Sequence, residues 1–152
     1  KMQDVIECNG ARKIPAVDTE LVMEKVLDSL DNMNEGLISA TVQETDLRGH
    51  AQDVDGYAEK IMIVDKYLED ILEKMTEEDI LFISADHGND PTSDNSQHTR
   101  EKTFLLVYGK SINNVNIGER KTLSDISATI ADYFEVNKPE NGESFYGMLV
   151  EG

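Results

Sequence analysis

Three features of this sequence predict an α/β fold with a mainly parallel sheet and helices on both faces. Apolar runs at Gly36–Gln43 (GLISATVQ), Asp79–Ala85 (DILFISA) and Thr103–Tyr108 (TFLLVY) have the length and composition of buried strands. Amphipathic stretches with apolar residues at helical spacing precede, separate and follow them. The resulting order is helix, strand, helix, strand, strand, helix, which suits helices layered on a sheet.

Each element has its own signal. Residues 1–17 have weak periodicity and read as loop. Asp18 offers an N-cap, and Leu21, Val22, Val26, Leu27 and Leu30 then recur on one helical face. The run Asn32–Gly36 ends that helix, and Gly36–Gln43 reads as the first strand. A polar, glycine-containing stretch, Glu44–Gly56, reads as a loop. Tyr57–Met75 is the clearest helix, with Ala58, Ile61, Met62, Val64, Tyr67, Leu68, Ile71, Leu72 and Met75 on one face, capped by Asp53 and Asp55. The second strand, Asp79–Ala85, leads into a polar loop from Asp86 to Glu101, and Thr103–Tyr108 closes at Gly109. Ser124 or Thr122 caps a helix to about Tyr133, and a short helix falls near Phe145–Leu149.

Composition narrows the function. The chain has 152 residues, one domain's worth, and a formal charge of −17. So acidic a surface repels nucleic-acid phosphates and anionic membranes, arguing against both as partners. Cys8 is the only cysteine, which excludes an internal disulfide and a thiolate zinc cluster and suits a reducing, cytoplasmic setting. No apolar run approaches the roughly 20 residues that span a bilayer, and Lys1–Gly10 has no signal-peptide core. Position 1 is not methionine, which leads us to expect a chain that begins inside a larger gene product.

The three histidines carry the chemical signal. His50 follows Thr45-Asp46-Leu47-Arg48-Gly49 beyond the first strand, His87 lies in Ala85-Asp86-His87-Gly88-Asn89-Asp90 at the end of the second, and His98 precedes the third. All three are expected in polar loops near strand ends, each with an Asp within four residues. Open α/β sheets bind ligands beyond the carboxyl ends of their strands. Imidazole and carboxylate together suit zinc, manganese or iron, and paired ions of this kind clamp phosphoryl groups. The bland alternative is three surface histidines, each beside a hydrogen-bonded neighbour. Phosphate-loop, dinucleotide-binding and nucleophile-elbow motifs are absent. Asp53-Val54-Asp55-Gly56 fails as a calcium loop, because Met62 occupies the twelfth position where a carboxylate is needed.

Longer motifs point to a family. Ala85–Thr92 (ADHGNDPT), His98–Glu101 (HTRE), Leu105–Gly109 (LLVYG), the Gly-His-x-x-Asp-x-x-Gly-Tyr-Ala pattern at 49–58, Asp125–Asp132 (DISATIAD) and Gly142–Phe145 (GESF) resemble the phosphopentomutase family of the alkaline phosphatase superfamily. The resemblance covers nearly everything from Leu37 to Phe145. It implies an alkaline phosphatase-like core and two divalent ions, Mn²⁺ in that family. Asp86 and His87 would bind one ion, and His50 and His98 the other with an upstream carboxylate. It also implies a small phosphosugar substrate, ribose 1-phosphate or ribose 5-phosphate. On this reading, residues 1–152 are the C-terminal portion of the metal-binding core. The N-terminal part and an inserted cap domain would supply a further aspartate and the phosphorylated threonine, and the chain alone would be inactive.

One position departs from the family. The upstream aspartate there stands five residues before the histidine, where this chain has Thr45; Asp46 stands four before His50. That is the spacing of cofactor-independent phosphoglycerate mutase. A phosphoglycerate mutase, a phosphatase, or a folded domain with empty metal sites therefore stay open beside the mutase reading. Arg100 can hold a phosphate or pair with Glu101.

Overall fold

The computed structural model describes residues 10–150. Lys1–Asn9, including Cys8 and the start of the expected loop, lie outside the described residues; 10–17 carry no helix or strand. The described chain forms two compact units. One takes in the described part of Lys1–Lys74 with His87–Glu101, and the other Met75–Asp86 with the described part of Lys102–Gly152.

The first unit is helical. Its elements are α1 (Thr19–Asn32), α2 (Gln43–His50) and α3 (Val54–Lys74), with α1 and α2 both packed on α3. Asp18 caps α1 as expected, its Oδ1 accepting from the Leu21 N–H at 3.0 Å. Val22, Met23 and Ile71 are the buried apolar residues of this unit. Ile61 and Met62, expected on the inner face of α3, are exposed. A polar knot ties the three helices together. Glu44 Oε2 accepts from the backbone N–H and hydroxyl of Thr19, at 2.7 and 2.8 Å, and pairs with Lys60 Nζ at 3.1 Å. Burial pushes the Glu44 carboxyl up, but these donors outweigh it and hold the group below its ordinary value.

The second unit mixes strands and helices, so the chain is α/β. It contains β1 (Leu81–Ser84), β2 (Leu105–Tyr108), α4 (Ser124–Tyr133) and α5 (Tyr146–Val150). Leu81 pairs with Tyr108 and Ser84 with Leu105. Phe145 and Leu149 are almost fully buried with Met75, Ala128 and Ala131. Phe145 meets Phe82 edge-on at 6.2 Å, and burying such a ring is worth about 1.5–3 kcal/mol. Asp125 is buried yet satisfied: it accepts from Arg120 Nε at 3.0 Å and the Glu143 N–H at 2.9 Å.

Several local expectations need correction. Gly36–Gln43 is not a strand: residues 37–42 are irregular, and Leu37 is 60% exposed. Strand propensity is realised only when backbone groups find a ladder partner, and none among the described residues pairs with this run. Glu44–Gly56 is not a loop, because α2 and the first turn of α3 occupy it. Asp53 caps α3 by accepting from Gly56 N–H at 3.0 Å, whereas Asp55 lies inside the helix. The sheet of the described residues is one antiparallel pair, and the expected parallel strands are not seen among them. The connection from β1 to β2 doubles back through a Gly88–Thr99 bridge; a parallel pair requires a crossover segment, typically a helix. In α4, Ser124 is the first helical residue and not the cap, while the Thr122 hydroxyl accepts its N–H at 3.2 Å.

Candidate metal centre

Four side chains of the first unit converge at one point. Asp46 and His50 stand on α2 four residues apart, a spacing that places them on the same helical face. His50 is thus the last residue of a helix, not a loop residue as the sequence suggested. His87 and His98 come from the two arms of the 87–101 loop. Gly88 and Thr99 form an antiparallel bridge between these arms, with Thr99 N–H donating to Gly88 O at 3.1 Å. His87 and His98 each flank that bridge by one residue, so both leave the same face. Their rings stack at 3.7 Å with planes 22° apart. A side chain at Gly88 would collide with Thr99 O, 2.9 Å from the Cβ position, so the close approach of the arms requires glycine.

The donor atoms point inward. Asp46 Oδ1 lies 3.4 Å from His50 Nε2, 3.5 Å from His98 Nε2 and 3.9 Å from His87 Nε2, and His50 and His98 present Nε2 to each other at 3.1 Å. The opposite ring nitrogens explain the orientation. His50 Nδ1 lies 2.5 Å from Ser96 O and His87 Nδ1 lies 3.2 Å from Gly88 O. A carbonyl can only accept, so in the neutral imidazole donation from Nδ1 of His50 or His87 leaves that ring's Nε2 as the lone-pair nitrogen facing the centre. Asp46, His50 and His87 are about one-third exposed and His98 about one-half, leaving the centre open to solvent.

This donor set fits a divalent ion. First-row ions held by nitrogen and oxygen at about 2.1 Å keep neighbouring donors roughly 3–3.5 Å apart, close to the separations found here. Asp46, His87 and His98 each offer one ligand atom within 4.8 Å of the others. His87 faces the same carboxylate as His50 and His98. Asp86 is exposed. Thr45, at the family's ligand position, turns its hydroxyl to Val42 O at 2.9 Å. Arg100 is exposed.

Sequence reasoning missed two supports. Asn89 Nδ2 donates to Asp46 Oδ1 at 2.9 Å and to Asp46 O at 3.3 Å, and Gln52 Nε2 donates to Ser93 O at 2.6 Å, fastening the loop to the end of α2. The helical Asp-x-x-x-His spacing was the available signal for α2. Nothing local announced the Asn89 contact, which spans 43 residues of sequence. No helix of the described residues is long and apolar enough to cross a membrane.

Comparison with known proteins agrees with this chemistry. Residues 1–138 match the family model described as the Metalloenzyme superfamily. Over 99% of its length the chain is 37% identical to a phosphopentomutase of Alkaliphilus oremlandii and 38% identical to one of Kosmotoga olearia, covering 40% of each. It is 48% identical, over 73% of its length, to a phosphopentomutase of Lachnoclostridium phytofermentans, covering 29% of that protein. The chain thus spans about 40% of the length of the first of these relatives. With a matching family model over most of its residues and a donor cluster suited to a divalent cation, this chain belongs to the metalloenzyme superfamily.

Proposed function

We propose that the chain is the metal-binding C-terminal portion of a cytoplasmic phosphopentomutase, acting on ribose 1-phosphate and ribose 5-phosphate. The observation that carries this reading is the convergence of Asp46, His50, His87 and His98, in a chain whose relatives bear that name. In the proposal Asp46, His50 and His98 hold one ion, and His87 with Asp86 holds a second, Mn²⁺ in both cases. Bound ions of this kind neutralise charge on a transferred phosphoryl group and orient its nucleophile. The protein's own part is to hold the His50 and His87 rings with Nδ1 against the carbonyls of Ser96 and Gly88 and Nε2 aimed inward. The nucleophile and a cap domain belong to the remainder of the longer protein, as does the rest of a mainly parallel sheet. The exposed Leu37 of the unpaired run 37–42 and the exposed Phe104, Leu106 and Tyr108 support such a completion.

A second reading rests on the Asp46–His50 spacing. With Thr45 engaged by Val42 O, Asp46 is the carboxylate at the centre, as in a cofactor-independent phosphoglycerate mutase. The deciding experiment offers the full-length protein ribose 1-phosphate or phosphoglycerate with Mn²⁺ and follows the products chromatographically. Formation of ribose 5-phosphate supports the first reading; turnover of phosphoglycerate alone replaces it with the second. Residues 1–152 alone are expected to turn over neither, and measurable mutase activity from them would refute the proposed division of the active site.

A further inference from the structure

We infer that Asn89 is a positioning residue for Asp46, and that Gly49 exists in α2 to admit it. The inference rests on the metal reading above. Asp46 is the hub of the cluster, since all three imidazoles face its Oδ1. A carboxylate on a helix, one-third exposed, is otherwise free to rotate about its side-chain bonds. The Asn89 amide removes that freedom. Its Nδ2 bridges the Asp46 backbone carbonyl and Oδ1, so the side chain is fastened to its own main chain.

Gly49 makes room for this clasp. A Cβ there would lie 2.3 Å from Asn89 Oδ1 and 2.4 Å from both Cγ and Nδ2, inside contact distance of the whole amide. Gly49 is buried within α2, where glycine is the poorer helix former. A residue that weakens its helix but leaves space for one amide is explained by what that amide does. The backbone of Gly49 has no left-handed conformation to account for it otherwise.

The clasp also couples the two sources of ligands. Asn89 lies two residues beyond His87 in the same loop, so the amide that orients Asp46 sets the distance between α2 and the arm bearing His87. Removing a partner that orients a metal ligand typically weakens binding about 10–100-fold. Stability without metal should barely change, because Asn89 is only half-buried and its contacts are polar.

The test is calorimetric titration with Mn²⁺, paired with melting in chelator, on the wild type, Asn89→Ala, Gly49→Ala and the double variant. Asn89→Ala and Gly49→Ala should each weaken Mn²⁺ binding by about 10–100-fold. In chelator, Gly49→Ala should melt no lower than the wild type, and the double variant should bind no more weakly than the weaker single one. Should Asn89→Ala not fold, Gly49→Ala carries the same test. Wild-type affinity in either single variant, or additive losses in the double, overturns the positioning role while leaving the metal centre standing. A wild type that takes up no Mn²⁺ overturns the metal centre and this inference with it.

Discussion

Asp46 and Asp125 make an instructive pair. Both are aspartates on helices, and each meets its partners across a loop. Asp125 is buried and met by an arginine and a backbone N–H, so protein groups satisfy its charge completely. Asp46 is one-third exposed, receives one neutral amide, and otherwise faces the Nε2 atoms of three imidazoles. A carboxylate grouped with three imidazoles has the donor chemistry to share a cation; one clasped by a guanidinium has no use for another. We read the first arrangement as a binding site and the second as a structural fastening.

The comparison can be broken by exchanging outcomes between the two sites. Asp125→Ala should have the largest effect on folding, about 3–5 kcal/mol by denaturant titration, because it strands the largely buried Arg120. Its Mn²⁺ affinity should stay near wild type, and an equal loss of metal binding would void the distinction. His98→Ala should show the opposite signature. Mn²⁺ affinity should fall more than about 100-fold, beyond the loss from removing an outer partner, while melting in chelator hardly moves.

Acid sharpens the contrast. Hydrogen bonding from the Glu143 N–H and the Arg120 guanidinium outweighs burial and holds the Asp125 carboxyl below its ordinary value. A depressed folded pKa contributes stability that is complete above the unfolded value of about 3.9 and disappears as pH falls through the folded one. Unfolding free energies measured from pH 6 downward should therefore drop more steeply for the wild type than for Asp125→Asn below about pH 4. Parallel curves would mean the clasp contributes nothing to acid sensitivity. The smallest expected effect lies far from both sites: Asp18→Ala should cost about 1 kcal/mol through loss of the α1 cap, read as a modest shift in urea midpoint.

Much of this architecture is legible along the chain because its cause is local. The Asp18 cap, the amphipathic stripe of α3, the runs that became β1 and β2, and the helix to Tyr133 all follow from neighbours within a few residues. Gly36–Gln43 misled for the opposite reason. Its composition suits a strand, but a strand needs a partner, and pairing is decided elsewhere. The stretch 43–50 misled too, because its polar content concealed a helix anchored by Glu44 to Thr19 and Lys60.

The site divides along the same line. Residue types and motif spacing were enough to single out Asp46, His50, Asp86, His87 and His98, since imidazole and carboxylate declare their chemistry wherever they lie. Only tertiary structure could decide that His50 ends a helix, that His87 stacks on His98, and that Asn89 holds Asp46. Those contacts link residues up to 48 positions apart, and such distances are set by how helices and loops pack, which no local pattern encodes.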